Sequence, residues 1–246
     1  MNERDLIGKI LSQFTDSSDL LLKGIGDDCA VIAESGQLCW LVSTDVLVES
    51  VHFVREWHDP YNLGRKSVAV NFSDIAAMGG TPRFILISLV LPNKTPDEWL
   101  QKWHDGVKSM LGEFSSVLIG GDVARGAQLT INVTVIGTAH PESVVYRSGA
   151  EPDQDIYVTN NLGSSAAGFE LLNRGINSRS KFLPLIKAHL DPQPQVKIGS
   201  MLAESRLISS MQDISDGIAT DLSHICKASD VSAVLDGRTI PIDSLV

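Results

Sequence analysis

The chain has 246 residues, 43% of them hydrophobic and 20% charged, which is room for one large domain or two of ordinary size with a real core. Thirty acids against twenty bases leave a formal charge of -10, which excludes a basic nucleic-acid surface but not a phosphate ligand bridged by divalent cations. No apolar run approaches the roughly 18 residues of a membrane span, the first residues lack a signal-peptide pattern, and Cys29, Cys39 and Cys226, scattered without a CxxC, read as reduced thiols of a cytoplasmic protein.

Taken in order, residues 3–14 place Leu6, Ile7, Ile10, Leu11 and Phe14 on one helical face. A polar loop leads into Gly24-Ile-Gly-Asp-Asp-Cys-Ala30. Its glycines permit a tight backbone. The adjacent carboxylates Asp27 and Asp28 repel each other unless one faces water or a cation neutralises the pair. Alone, such a stretch is most often a solvated turn. Residues 30–33 and 38–42 read as two strands, the second ending in Ser43-Thr44-Asp45. Asp59-Pro60 is an N-cap with proline at the first helical position, and that helix runs to Met78 and stops at Gly79-Gly80. Inside it, Asp74 stands among apolar and small residues, where an ionised carboxylate needs a partner. A core-facing acid capping a neighbouring element is the other reading of Asp74.

Residues 84–91 are a near-continuous apolar run, expected to be a strand covered on both faces. Thr95-Pro-Asp-Glu98 has the form of a capping box. The helix after it carries Trp99, Leu100, Trp103, Val107, Met110 and Leu111 as a core stripe. Residues 117–119 form a strand entering Gly120-Gly121-Asp122, and residues 129–139 alternate as an edge or barrel-type strand. A turn-rich joint at 141–152 predicts two domains, 1–140 and 141–246. In the second, residues 155–159, 207–211 and 231–235 read as strands, and 183–189 and 196–205 as helices. The Gly/Ser-rich residues 160–168 have some character of a phosphate cradle at a helix start. Phe169-Glu170 stand where a Walker A sequence needs Lys-Ser/Thr. Several strands alternate too well for a purely parallel sheet, so the expected class is α+β in two domains.

Five motifs thus bring acid to a strand end, a turn or a glycine-rich site: GIGDD, STD, NFSD, GGD and DISDG. A hydrolytic pair needs only two carboxylates. A zinc site needs closely spaced His and Cys, and the six histidines are dispersed. Many oxygen donors with few nitrogens point to magnesium holding substrate phosphates, and so to phosphoryl transfer, which depends on positioning and charge neutralisation. The protein-kinase signatures and the dinucleotide fingerprint are absent.

GIGDDCAVI, STDVLVESVHF, NFSDIAAMGG, LIGGDVARG, RSGAEPDQDIYVTNNLGSSAAG and DISDGIATDL occur in this order across nearly the whole chain. Together they resemble the thiamine-monophosphate kinases, within the superfamily of aminoimidazole-ribonucleotide synthetase and selenophosphate synthetase. The resemblance implies direct transfer of the γ-phosphate of ATP onto thiamine monophosphate, giving thiamine diphosphate, with several magnesium ions in a cleft between two domains. It implies a homodimer in which the N-terminal sheets pair into a barrel-like interface. It also implies a second domain completed by residues beyond position 246, which supply an acid and an aromatic side chain to the thiamine pocket.

Carried onto this chain, the metal ligands would be Asp28, Thr44, Asp45, Asp74, Asp122 and Asp213, helped by Ser43 and Asp216. Gly121, Asp122, Arg147 and Ser215 would meet the nucleotide, and His52 the thiamine phosphate. Asp45, Asp74 and Arg147 would carry the transfer, and Asp27 would bind metal or orient its loop. On residues alone, His52 is equally a structural histidine and Ser215 equally an N-cap. The acceptor is a phosphate monoester with a second pKa of about 6, so no general base is needed. Two other readings stand beside this one. A selenophosphate synthetase would want a reactive Cys and Lys in a glycine-rich N-terminal loop, whereas Cys29 sits against Ala30-Val-Ile. A non-catalytic nucleotide- and magnesium-binding module is the other.

Overall fold

In the computed structural model, residues 6, 9, 13, 18–34, 36–176 and 180–246 are described. The helix expected over residues 3–14 falls largely outside this set. The first half builds one six-stranded sheet from β1 (Leu21–Lys23), β2 (Ala30–Ala33), β3 (Cys39–Val48), β4 (Thr81–Leu91), β5 (Val117–Arg125) and β6 (Thr130–Ala139). The spatial order is β1-β2-β3-β6-β4-β5. Only β4 and β5 run parallel, and the helix between them supplies the crossover that parallel pairing requires.

Two helices cover one face of this sheet. Helix α1 (Pro60–Ala77) starts as its sequence dictates, with the Asp59 carboxylate accepting the Tyr61 N–H at 2.9 Å and Pro60 in the first turn. Helix α2 (Asp97–Glu113) brings Trp103, Val107 and Met110 to the same layer. These side chains, with Leu63, Phe72 and Ile75 of α1, close over Ile85, Ile87 and Leu89 of β4 and Ile131, Val133 and Val135 of β6. Burying each large apolar side chain is worth about 1.5–3 kcal/mol, so this layer is the main source of stability.

Several sequence expectations are corrected. β3 does not end at Asp45 but continues to Val48. β4 is not covered on both faces: its burial alternates, as in a strand with one face on the core. β6 is not an edge, since it lies between β3 and β4. β5 continues through Gly120-Gly121-Asp122 as strand instead of turning there. The capping box does not form: Pro96 precedes α2 without a side-chain cap, and the Thr95 hydroxyl donates to the Pro92 carbonyl at 2.9 Å.

The second half consists of α3 (Ser164–Asn173), α4 (Leu183–Leu190), α5 (Val196–Ser205) and α6 (Ile218–Ser229), with short 3-10 turns at Pro141–Ser143 and Ser180–Phe182. The strands expected over 155–159, 207–211 and 231–235 are not formed among the described residues. A strand exists only where another one completes its ladder, and here the sole bridge among the described residues is Leu162 with Ile242. Tyr157, Leu207 and Val234 accordingly stand exposed.

This half docks on α1. A Cβ on Gly199 of α5 would lie 2.1 Å from the carbonyl oxygen of Ala76, so the backbones meet where no side chain fits. Arg65 of α1 reaches Asp191 at 2.8 Å and Glu113 of α2 at 2.5 Å, tying three elements together. Lys66 donates to the His189 carbonyl at 3.0 Å. No helix among the described residues is long and apolar enough to cross a membrane. Gly199→Val is expected to force α5 off α1 and to lower stability by about 2–4 kcal/mol, read as a shifted urea midpoint.

Candidate functional site

Four elements converge where the second half meets the edge of the sheet. The first is the turn between β1 and β2, in which Gly26 has φ +115°, a backbone that side chains rarely adopt. It delivers Asp28, whose residue is 8% exposed. The second is β3. Its alternation sends Ser43 and Asp45 to the face shared with Leu41 and Leu47, the helix-covered one. The third is the end of α1, carrying Asn71, Ser73 and Asp74. The fourth is the segment that leads into α6, carrying Asp213.

Among the described residues, Asp28, Asp74 and Asp213 present carboxylate oxygens all within 4.8 Å of one another. Each acid is held by a donor from another element. The Ser43 hydroxyl donates to Asp74 at 2.6 Å, and the Ser73 hydroxyl donates to Asp213 at 2.9 Å. The Arg147 guanidinium donates to one oxygen of Asp28. The other oxygen of Asp28 is buried without a hydrogen-bond partner among the described residues. An all-oxygen donor set with an orphaned buried carboxylate oxygen fits a hard divalent cation.

The electrostatics carry the same mark. Burial, reinforced by Asp213 and opposed by the Arg147 bond, pushes the Asp28 carboxyl up to about 7. Burial and Asp213 push Asp74 up to about 8 against the Ser43 hydrogen bond. Burial raises Asp213 as well, against the hydrogen bond from Ser73. Asp45, at the open mouth of the cleft, is raised by partial loss of water and lowered by nearby His52. Its N–H is fixed by the buried Asn71 side chain at 3.2 Å. His52 accepts the Val48 N–H on Nδ1 at 3.0 Å, so a neutral ring carries its proton on Nε2, directed away from that bond.

The other predicted residues lie elsewhere. Thr44 points to the opposite face of β3, with its hydroxyl 3.0 Å from that of Thr134. Asp122 is on the exposed edge strand β5, in register with Ser88 of β4, and its carboxylate accepts the neighbouring Val123 N–H at 2.9 Å. Asp122 lines, with Gly121, Trp103 and His104, a separate open cavity of about 590 Å³. A Cβ on Gly121 would sit 1.9 Å from the Ile87 carbonyl oxygen, which explains a glycine in mid-strand. Ser215 and Asp216 are exposed on the loop after Asp213. Ser215 does not cap α6. The buried Asp221 carboxylate instead accepts the N–H groups of Ser215, Asp216 and Gly217 at 3.0, 3.1 and 3.0 Å.

Comparison with known proteins assigns the chain to a family. The family descriptions "AIR synthase related protein, N-terminal domain" and "AIR synthase related protein, C-terminal domain" match residues 26–139 and 151–245. The thiamine-monophosphate kinase of Bacillus subtilis (strain 168) is 36% identical over 248 residues, covering 99% of this chain and 76% of that protein. The chain belongs to the thiamine-monophosphate kinase family. The kinase of Escherichia coli (strain K12) is 38% identical over 241 residues, with 97% of this chain and 73% of that protein covered. The structure of AaThiL complexed with AMPPCP and TMP superposes with a TM-score of 0.81 at 32% identity, over 92% of this chain and 69% of that one.

Within this thiamine-monophosphate kinase family member, sequence reasoning overlooked Asn71, Ser73 and Asp221 as organisers of the site. All three lie inside quoted motifs, yet each acts through a backbone or carboxylate partner that periodicity does not reveal. Asp221 had one legible signal, an acid in the first turn of a helix preceded by glycine.

The raised carboxyls fix a sign for pH dependence. In the metal-free protein, folded Asp28 and Asp74 keep protons up to about pH 7 and 8, while the unfolded chain releases them near 3.8. Stability therefore falls as pH rises through that window. His58 and His189, pushed down to about 4 by burial, act oppositely only below their ordinary value of 6.5. Buried Lys66, lowered to about 8, offsets a small part. Between pH 6.5 and 8 the metal-free chain is expected to lose about 1–2 kcal/mol, seen as a falling melting temperature, and Asp74→Asn is expected to flatten most of that slope.

Proposed function

We propose that this chain phosphorylates thiamine monophosphate to thiamine diphosphate with ATP, by direct in-line transfer of the γ-phosphate. The observation that carries the reading is the convergence of Asp28, Asp74 and Asp213, acids 46 and 139 residues apart along the chain (74 − 28 and 213 − 74), on one point between the two halves. Family membership and the relative complexed with AMPPCP and TMP support the substrates.

Several magnesium ions, held by Asp28, Asp74 and Asp213 with Asp45 at the mouth, would screen the triphosphate's charge. The chain's own groups do the rest. Ser43 and Ser73 keep two carboxylates aimed inward. Arg147 brings a fixed cation to the acid cluster, where it can also meet a phosphate oxygen. His52 offers Nε2–H as a donor to the acceptor phosphate, beside Asp45. The acceptor oxygen is ionised near neutral pH, and transfer then requires alignment of two anions more than proton removal. Ser215 and Asp216, on the exposed loop organised by Asp221, can approach the nucleotide from the second half.

The selenophosphate synthetase reading loses its nucleophile. Cys29 is 2% exposed, its N–H points at the Met78 sulfur, and burial pushes its thiol well above the usual value. Release of ADP in a coupled assay is expected to depend on added thiamine monophosphate, and Asp74→Asn to lower kcat by about a hundredfold or more. ATP binding without that dependence would select the non-catalytic module.

The reading includes two domains, 1–140 and 141–246, a cytoplasmic setting, and a homodimer built on the sheet. Among the described residues β5 has a partner on one side only, and Val117, Leu118, Ile119 and Val123 along it are 54, 48, 52 and 62% exposed. Beyond Val42, β3 also has β6 alone beside it among the described residues. Edge strands in this state are templates for pairing, and a second copy's β5 laid along the open part of β3 would begin a barrel-like closure. Within one chain Asp122 stands three strands from Asp45, so any metal role for Asp122 belongs to the partner's site. Mixing inactive Asp74→Asn with inactive Asp122→Asn protein is expected to restore up to about a quarter of wild-type activity, because half of the sites in a mixed dimer regain both acids and mixed dimers are about half of a random exchange. No recovery after verified subunit exchange would place Asp122 outside that role.

A further inference from the structure

We propose that Asp27, the first acid of the adjacent pair, is a positioning residue that sets Arg147 through its backbone and so locks the two walls of the cleft together. The Asp27 side chain is fully buried, yet it is not one of the three acids that converge. Both of its oxygens are already taken. Oδ1 accepts the N–H groups of Asp28 and Arg147, each at 3.2 Å, and Oδ2 lies 3.3 Å from the same Arg147 N–H. Lys23 of β1 adds its ammonium at 3.5 Å from Oδ2 and stands 5.7 Å from the centre of the Tyr146 ring. A carboxylate surrounded in this way by donors has little left to offer a cation.

What Asp27 holds is a short link with further anchors in the second half. The Tyr146 carbonyl accepts the Met211 N–H at 3.1 Å, two residues before Asp213. The Arg147 carbonyl accepts the Ser229 hydroxyl at 3.2 Å, from the end of α6. The link 146–147 is therefore gripped by the β1–β2 turn on one side and by the Asp213 segment and α6 on the other. The Arg147 side chain leaves this anchored backbone to meet Asp28, while its Nε is buried without a partner among the described residues. The guanidinium can trade Asp28 for a phosphate oxygen only if its own Cα stays in place. Asp27 supplies that constancy, and the two neighbouring acids divide the work: Asp28 faces the cation, Asp27 faces the chain.

The role of Arg147 toward nucleotide rests on the function proposed above, so the test separates the two. Hydrogen exchange, Mn2+ binding followed by electron paramagnetic resonance, and steady-state kinetics are measured on wild type, Asp27→Ala, Asp27→Asn, Arg147→Ala and Asp27→Ala/Arg147→Ala. Losing a hydrogen bond to a charged acceptor is expected to speed exchange of the Arg147 amide about tenfold or more in Asp27→Ala. The number of bound Mn2+ ions stays as in wild type. KM for ATP rises about tenfold with a smaller change in kcat, and the double variant is no worse than Arg147→Ala alone. Asp27→Asn keeps an acceptor oxygen and is expected to stay within about threefold of wild type by each readout. A lost Mn2+ ion, unchanged exchange or additive losses in the double variant would overturn the proposal. If Asp27→Ala does not fold, the Asn variant decides: a defect as large as that of Arg147→Ala sinks the idea. Wild type without substrate-dependent ADP release would refute the kinase reading, while exchange and Mn2+ binding would still decide the role of Asp27.

Discussion

Three carboxylates within 4.8 Å of one another form an arrangement that a folding chain resists, and much of this structure exists to impose it. In a poorly hydrated site each negative charge raises the cost of the next. The protein meets that cost with protons on Asp28 and Asp74 when nothing else is present, with one arginine, and with serine hydroxyls from neighbouring elements. None of these neutralises the cluster fully. The residual cost is what a multivalent cation would relieve, and a cation held there could in turn meet a phosphate oxygen.

Helix α1 transmits the constraint. One of its faces packs on the sheet through Leu63, Phe72 and Ile75. Its last turns carry Asn71, Ser73 and Asp74 to β3 and to the Asp213 segment. Its early turns grip the second half through Arg65 and Lys66, and its end meets α5 at Gly199. Acid spacing in the cleft and docking of the two halves are thus one packing problem. A shift of α5 along α1 would move Asp213 away from Asp74, and chemistry that depends on aligning two anions tolerates little of that.

The same logic explains why the site is spread over the chain. Each acid comes from an element whose local structure is secured for its own reasons: a glycine turn, a capped helix, a loop tied down by Asp221. Substrate phosphates would then meet groups already in place, with little reorganisation at the moment of transfer. Among the described residues β5 is an exposed edge of the sheet, and Asp122 on it stands three strands from Asp45.

The sequence by itself determined the family and much of the local order. The acids beside small residues at Asp28, Asp45, Asp74 and Asp213, the start of α1 at Asp59-Pro60, its end at Gly79-Gly80 and the core stripe of α2 are all legible, because caps, glycines and helical periodicity act over a few residues. What only the tertiary structure decided is partnership. Periodicity could not say that β6 lies inside the sheet, that Thr44 faces away from the acids, that three strand-like segments of the second half find no strand partner among the described residues, or that Asp27 turns toward the backbone of Arg147 while Asp28 turns toward the cluster. Those outcomes depend on which distant groups arrive beside a residue, and pairing between distant segments leaves no period in the chain.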